Sequence, residues 1–236
     1  MSKEQKENVH AGHRQRLRSS YLRGNFDAFP DVTRLELLLF YAYPRRDTNP
    51  IAHKLLQEFG TLANVLDAEY EQLIRVEGVT ELAATLIPLM RQLQAAAQQQ
   101  KAEERFKGIL DTTKKCAEYF MPYFFGSHKE MVYAITLDGK CKVIKCRKLV
   151  EGSVNSADIS VRRIVEIALN DDAISVVLAH NHPKGVCTPS ADDEETTLRI
   201  WNALHTVGIQ LIDHIVLCDV EYYSMADAGF FESFFV

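Results

Sequence analysis

Apolar residues in the first half of the chain recur every three or four positions, which is the spacing of amphipathic helices. Asp31 or Thr33 can cap the first of these helices. The second opens at Asn49, the predicted N-cap, and places Pro50 at the first helical position, where its missing N–H costs nothing. Residues 95–105 hold Ala, Gln and charged residues, so they form either the solvated end of a long helix or a linker. The pattern predicts helices near residues 31–40, 49–60, 67–74 and 81–93.

The pattern changes near residue 107, where runs of β-branched and aromatic residues begin to alternate with helical segments. Residues 131–137 form such a run, Asp138-Gly139 predicts a hairpin turn, and residues 142–144 continue as the partner strand. The order of elements predicts a mixed sheet with helices packed on it. The fold class is therefore α+β, with a small helical domain followed by a mixed-sheet α/β domain. The remaining predicted elements are helices at 112–124, 159–169 and 190–207 and strands at 174–179 and 209–218.

The composition is that of a globular protein, because 47 % of the 236 residues are apolar and 25 % are charged. Such a core offsets the entropy of ordering and excludes disorder along the whole chain. No apolar run approaches the ~18–20 residues that a membrane helix needs, and residues 1–7 lack the apolar segment of a secretory signal. The five cysteines show no CxxC spacing, so we expect no disulfide framework and a cytoplasmic location.

The net charge of −5 is unevenly distributed. Residues 1–107 carry 15 Lys and Arg against 14 Asp and Glu, whereas residues 108–236 carry 12 against 18. A basic arm at residues 1–24 has no acidic residue from position 8 onward. This arm predicts either weak non-specific DNA binding or a solvated charged face. The basic residues concerned are Arg14, Arg16, Arg18 and Arg23.

Two histidines and an aspartate carry the most informative spacing. His180 and His182 follow a buried strand at positions i and i+2, so both can project from one face where the strand ends. Asp193 lies in the first turn of the next predicted helix. These three side chains predict an open three-ligand Zn²⁺ site whose fourth position is left for water. Two other interpretations stay open: a structural histidine at a strand end, and a capping box of Ser190 and Asp193.

A water-activating site also needs a base, and Glu130 is the candidate. It begins the first strand of the predicted hairpin, where it could lie beside the strand that ends at His180. This neighbourhood depends on the order of strands in the predicted sheet.

Taken together, these residues form a recognisable set. The pattern Glu130 … His180-x-His182-x7-Ser190-x2-Asp193 resembles the motif of the JAMM (MPN+) metalloprotease superfamily. The flanking residues, among them the run from residue 180 to 185 and Asp213-His214, resemble the bacterial RadC family, and the resemblance covers about residues 10–230. It implies a helix-hairpin-helix-like domain at 25–107 and an MPN/JAMM-type domain with a cytidine deaminase-like layout at 108–236.

The resemblance also implies roles for individual residues. His180, His182 and Asp193 would bind Zn²⁺, Glu130 would act as general base and later as proton donor, and Ser190 would help to stabilise the oxyanion. The implied activity is zinc-dependent hydrolysis of an amide or isopeptide bond in a peptide or protein substrate. The alternative is a DNA-binding accessory protein of DNA repair or recombination whose metal site is structural or vestigial.

Some positions depart from the family pattern or add to it. Gly78 matches the first glycine of the hairpin, but Thr80 stands where a second glycine is usual, so a phosphate grip and a purely structural helical bundle both stay open. Lys184 replaces a usual Ser and adds a cation at the rim of the site, which either favours an anionic substrate or is solvated.

Three further residues near the motif receive predictions of their own. Asp213 and His214 are expected to form a buried hydrogen-bonded pair that supports the sheet. Cys187 lies between the ligands in sequence, and a loop thiol is favoured over a fourth ligand.

Overall fold

The structure, a computed structural model, describes residues 12–127, 129–152, 160–183, 185–218 and 221–232. The chain divides into two compact units, Met1–Leu93 and Gln94–Val236. The domain boundary predicted after residue 107 stays a prediction, and it falls where the helix Glu81–Phe106 ends. Of the predicted basic arm, residues 1–11 lie outside the described part of the chain.

The first unit is helical, as the apolar periodicity predicts. Its apolar faces converge on one core in which Leu35, Leu55, Leu73 and Ile87 are fully buried. A short 3-10 turn, Phe26–Ala28, joins its first two helices. The helices are α1 His13–Leu22, α2 Asp31–Leu39, α3 Asn49–Phe59, α4 Leu62–Asp67, α5 Tyr70–Leu73 and the first part of α6 Glu81–Phe106.

The start of α3 corrects the sequence prediction by one residue. The N-cap is Thr48 and not Asn49, which is itself the first helical residue. The Thr48 hydroxyl donates to the carbonyl of Glu36 at 3.5 Å, and the Asn49 amide donates to the Glu36 carboxylate at 3.3 Å. Both polar side chains are therefore directed at α2 and not at the helix end. Pro50 stays within the first turn, where its missing N–H costs nothing.

The second unit is built on a five-stranded mixed sheet of order β2-β1-β3-β4-β5, so the predicted architecture is confirmed. Only β3 and β4 pair in parallel, whereas the other neighbours are antiparallel. The sequence missed β5, a four-residue strand too short to show alternation. The strands are β1 Glu130–Leu137, β2 Val143–Gly152, β3 Ser175–Asn181, β4 Gln210–Cys218 and β5 Glu221–Ser224, and the helices are α7 Thr113–Phe124, α8 Val161–Asn170 and α9 Ala191–Thr206.

The two faces of the sheet pack against different helices. Alternate residues of β1 and β3, including Val132 and Leu178, pack with residues of α8 and α9. The intervening residues, including Ile135 and Ala179, pack with Phe120 and its neighbours on α7. This alternation decides on which face each residue at the end of β3 lies.

The hairpin between β1 and β2 is confirmed, but its turn is longer than the predicted Asp138-Gly139 pair. The Asp138 carboxylate accepts hydrogen bonds from the backbone N–H groups of Lys140 at 2.8 Å and Lys142 at 2.9 Å. The positive φ of 56° belongs to Cys141 and not to Gly139. A side chain that bonds its own turn therefore replaces the two-residue glycine turn.

A disulfide bond corrects the prediction made for the cysteines. Cys187, expected to be a loop thiol, is bonded to Cys218 at the end of β4, with the two Cα atoms 5.5 Å apart. The partners are 31 residues apart, and only the fold brings the loop and the strand end together. Among the residues that the structure describes, no helix combines the length and apolar composition that crossing a bilayer requires.

Candidate metal centre

His180, His182 and Asp193 bring their donor atoms together at the end of β3. The three ligand atoms all lie within 4.8 Å of one another. The Nε2 atoms of the two histidines are 3.0 Å apart, and the Asp193 oxygens lie 3.5 Å from Nε2 of His180 and 3.7 Å from Nε2 of His182. Tetrahedral ligands at about 2.0–2.1 Å from Zn²⁺ are about 3.3 Å from each other. The donors therefore fit this ion in kind and in spacing.

Backbone hydrogen bonds position these candidate ligands. His180 lies within β3 and is 4 % exposed. His182 follows the strand, and its backbone N–H still donates to the carbonyl of Leu217 on β4 at 2.8 Å. Asp193 is the third residue of α9, so the start of this helix carries the third ligand.

The capping box and the candidate metal-binding group coexist. Ser190 is the N-cap of α9, and its oxygen accepts from the backbone N–H of Asp193 at 3.2 Å. In return, Oδ2 of Asp193 accepts from the backbone N–H of Ser190 at 2.8 Å and from its hydroxyl at 2.6 Å. Oδ1 is the oxygen nearest to His180. One carboxylate can therefore cap the helix through one oxygen and bind a metal through the other.

The electrostatics keep the Asp193 carboxylate ionised. Burial on its own raises the pKa of Asp193, but the hydrogen bond and the charge of His180, together with the hydrogen bonds from Ser190, outweigh burial and hold the pKa below its ordinary value. An ionised carboxylate is the form that binds a cation.

Buried side chains connect two of the ligands. Nδ1 of His180 lies 2.8 Å from Nε2 of His214, and Nδ1 of His214 lies 2.6 Å from the hydroxyl of Thr197. This hydroxyl donates to the backbone carbonyl of Asp193 at 2.6 Å. Burial lowers the pKa of His214 well below its ordinary value, so its ring is neutral.

With a metal in place of any proton on the Nε2 atoms of His180 and His182, these bonds define one consistent set of proton positions. Since Thr197 donates to a carbonyl, its oxygen is free to accept the Nδ1 proton of His214. Nε2 of His214 then accepts the Nδ1 proton of His180. Nε2 of His180 carries no proton in this arrangement, and its lone pair faces His182 and Asp193. Such outer hydrogen bonds fix the tautomer and the orientation of a ligating histidine.

His182 is oriented by a loop carbonyl. Its Nδ1 lies 2.8 Å from the carbonyl oxygen of Val186. A carbonyl can only accept, so Nδ1 carries the proton and the lone pair of Nε2 faces Asp193. Both histidines therefore present the same tautomer, although different partners impose it.

Strand pairing places Glu130 beside this group. Val132 of β1 is directly opposite His180, so the two side chains lie on the same face of the sheet. Glu130 precedes Val132 by two residues and shares that face. The register thus supports the predicted proximity of Glu130 to the end of the His180 strand, and Glu130 is not one of the three grouped side chains.

Asn181 is a residue whose importance the sequence analysis missed. Its side-chain oxygen accepts from the backbone N–H of Met131 at 2.7 Å, and its amide donates to the carbonyl of Lys129 at 3.1 Å. These two residues flank Glu130, so Asn181 fixes the backbone that carries the candidate base. The sequence does contain a signal for this role. Asn181 is a polar residue between the two histidines, and strand alternation places it on the opposite face of β3 from them.

The other predicted site residues have these placements. Asp213 and His214 are both buried, but their side chains do not hydrogen-bond to each other as expected, because neighbouring strand side chains face opposite sides of the sheet. Asp213 instead accepts from the hydroxyl of Ser224 at 2.6 Å and from the backbone N–H of Ala226 at 3.0 Å, and burial raises its pKa. Lys184 lies outside the described residues.

Comparisons with known proteins show the family of this chain. Residues 110–230 match the family model described as the RadC-like JAB domain. A UPF0758 protein of Fusobacterium nucleatum is 32 % identical over 225 residues, which are 92 % of this chain and 96 % of the relative. A UPF0758 protein of Ruegeria pomeroyi is 32 % identical over 205 residues, 87 % of this chain and 91 % of the relative. One from Rhodobacter capsulatus is 34 % identical over 203 residues, 85 % of this chain and 93 % of the relative.

Proposed function

Because the chain belongs to the family of RadC-like JAB domain proteins, we propose that it is a zinc-dependent hydrolase that cleaves an amide or isopeptide bond. The observation that carries this proposal is the group of two histidines and one aspartate at zinc-ligand spacing. Three protein ligands leave a fourth position for water or substrate, as in catalytic and not in structural zinc sites.

The chain's own residues would divide the work. Bound zinc would supply Lewis-acid polarisation and lower the pKa of water to about 7. Glu130 would accept a proton from the attacking water and pass it to the leaving amine, a transfer typically worth about 10²–10⁴-fold in rate. The strand register supports this role, because it places Glu130 on the same face as His180.

Ser190 has two candidate roles, which an experiment can separate. The resemblance implies a donor to the oxyanion, whereas the hydroxyl proton is directed at Oδ2 of Asp193 at 2.6 Å. If Ser190 mainly positions Asp193, Ser190→Ala weakens zinc affinity. If it stabilises the oxyanion, the same variant lowers kcat by about 10²–10³-fold at unchanged zinc affinity.

Zinc content of purified variants tests the proposal directly. We expect about one Zn²⁺ per chain in protein prepared without chelator, and its loss in His180→Ala, His182→Ala and Asp193→Ala. Glu130→Gln should keep the metal and lose hydrolysis of a pool of fluorogenic peptides with α- and ε-linked amides. His53→Ala, which changes an exposed histidine of α3, is the matched control. Wild-type protein that stays zinc-free after incubation with Zn²⁺ and gel filtration would refute the proposal.

DNA binding is the second candidate function, and one observation favours it: several arginines on and after α1 are exposed. These are Arg16, Arg18 and Arg23. Arg14 is used differently, because its guanidinium donates to the carbonyls of Phe40, Tyr43 and Arg46. It therefore caps the end of α2 and has fewer donors left for phosphate.

The hairpin predicted around Gly78 and Thr80 is a weaker candidate for phosphate binding than the arginines, because the backbone N–H of Thr80 is already bonded within the protein. The backbone N–H of Thr80 donates to the Tyr43 hydroxyl at 2.8 Å, and this hydroxyl donates to the carbonyl of Gly78 at 2.8 Å.

Salt dependence tests DNA binding by the arginines. We expect Arg18→Ala with Arg23→Ala to reduce the slope of log affinity against log salt concentration by the equivalent of about two phosphate contacts. Arg162→Ala, in the second unit, is the control. Absence of DNA binding at low salt would exclude this function.

A further inference from the structure

The loop between the second and third ligands is bonded to the sheet. Its described residues are Pro183 and residues 185–189, and among them Cys187 forms a disulfide with Cys218, the last residue of β4. The residue before Cys218, Leu217, accepts the backbone N–H of His182. The bond therefore joins the loop to the same strand end that holds the backbone of a ligand.

The disulfide is adjacent to the group that orients His182. Val186 immediately precedes Cys187, and its carbonyl oxygen is the acceptor for Nδ1 of His182 at 2.8 Å. The backbone N–H of Gly185 also donates to the carbonyl of His182 at 3.3 Å. Fixing Cys187 to β4 therefore fixes the acceptor that selects the ligating tautomer of His182.

The bond lies where a reductant can reach it. Val186 is 77 % exposed, and Gly185 and Thr188 are exposed too. Two of the free cysteines, Cys116 and Cys146, have unreactive thiols, because burial raises the pKa of both to about 12. Their thiols are protonated at neutral pH and are therefore poor nucleophiles toward the disulfide, so the reductant is an added thiol and not either of these cysteines.

We propose that the Cys187–Cys218 pair regulates the metal centre, with the disulfide holding His182 in its ligating orientation and the dithiol releasing it. This inference rests on the proposed function, because it assumes that the three-ligand group binds zinc. In the reaction, two thiols of a reductant lose two electrons and form their own disulfide. Cys187 and Cys218 take up these electrons and two protons and become thiols, through a mixed-disulfide intermediate.

The test compares zinc affinity in the two redox states of the wild-type chain. The protein is reduced with a dithiol, freed of it by anaerobic gel filtration, and titrated with Zn²⁺ against a chromophoric chelator. We expect the reduced form to bind zinc about 10-fold more weakly, the low end of what losing an outer hydrogen bond of a ligand costs. Cys187→Ser should reproduce the reduced affinity under either condition, whereas Cys141→Ser should behave as wild type.

A second measurement needs no metal. Nitrogen-15 NMR of the His182 ring in zinc-free protein should show one Nδ1-protonated tautomer when the disulfide is present and a mixture after reduction. Equal zinc affinities and equal tautomer populations in both states would overturn the regulation while leaving the proposed function intact. Absence of zinc binding in both states would instead refute the proposed function. Tighter binding after reduction, with sulfur-to-cobalt charge-transfer absorption on Co²⁺ substitution, would overturn the regulation and identify a thiolate ligand.

Discussion

The two histidines of the candidate metal centre are held by opposite kinds of structure. His180 lies inside the sheet, and its ring is oriented by the buried side chains of His214 and Thr197. His182 lies beyond the strand end, and its ring is oriented by the carbonyl of an exposed loop residue. The same tautomer is thus imposed once by the core and once by a segment that the core does not cover. The first ligand is preformed with the fold, whereas the second depends on what secures the loop.

The largest effect is expected on the core side. His214→Phe removes the acceptor for Nδ1 of His180 and should weaken zinc affinity about 10–100-fold. His214→Gln, whose amide oxygen can replace that acceptor, should recover most of the affinity. Chelator competition measures both. Equal losses in the two variants would mean that ring volume matters at this position and not the hydrogen bond.

The residue between the two histidines should affect rate and not affinity. Asn181→Ala frees the backbone on both sides of Glu130, and we expect turnover of the fluorogenic peptides to fall about 10-fold while zinc content is unchanged, since small misplacements of a catalytic group are costly. Faster hydrogen exchange at the amide of Met131 should accompany it. Asn181→Asp keeps the acceptor for that amide and serves as the control. Loss of zinc in Asn181→Ala would place the residue with the ligands instead.

A smaller effect is expected on the loop side. A Cβ added at Gly185 would lie 3.3 Å from the Cβ of His182, so the ring must shift by a few tenths of an ångström. We expect Gly185→Ala to weaken zinc affinity a few-fold, less than His214→Phe does. Gly208→Ala is the comparison at a helix end where no atom lies within 4 Å, although its positive φ costs some stability. A loss as large as that of His214→Phe would show that the loop is as rigid as the core.

Zinc affinity should not respond to the ion pair between Arg147 on β2 and Asp171 at the end of α8. Hydrogen bonds and charge from Arg147, with Thr136 and Lys145, hold the pKa of Asp171 below its usual value. Its contribution to stability is therefore present above the unfolded-state pKa of about 4 and is lost as pH falls below it.

Asp171→Asn tests this assignment. It should cost about 1–3 kcal/mol of unfolding free energy at pH 7, and the difference from wild type should shrink toward pH 2. Urea unfolding at several pH values measures it. A difference that stays constant with pH would contradict the assignment, and altered zinc affinity at pH 7 would contradict the separation from the metal centre.

Local signals in the sequence predicted most of the fold. The apolar period located α2, α3, α5 and the first part of α6 in the first unit but not α1 or α4, and in the second unit it located β1 to β4 but not β5. The i,i+2 spacing after a buried strand predicted that His180 and His182 would converge. Asp193 was predicted from its place in the first turn of a helix. These are properties of a residue and its near neighbours in sequence, which is why they could be inferred without the fold.

Most of the missed features of the site depend on distant contacts. The bond between Cys187 and Cys218, the partnership of His214 with His180 and the role of Asn181 beside Met131 each join residues at least 31 positions apart. The N-cap at Thr48 shifted because Glu36 of another helix attracts the polar side chains at the helix start. No local pattern contains this information.

The one parallel strand pair of the sheet explains why the centre lies where it does. Two parallel neighbours cannot be joined by a tight turn, so the chain must leave the end of β3, cross one face of the sheet as α9 and return to the start of β4. A crossover of this kind always brings the carboxyl end of a strand next to the amino end of a helix. Two donors from that strand end and one from that helix start are therefore neighbours because of the topology. Chain connectivity alone brings together the backbone positions that the three candidate ligands occupy.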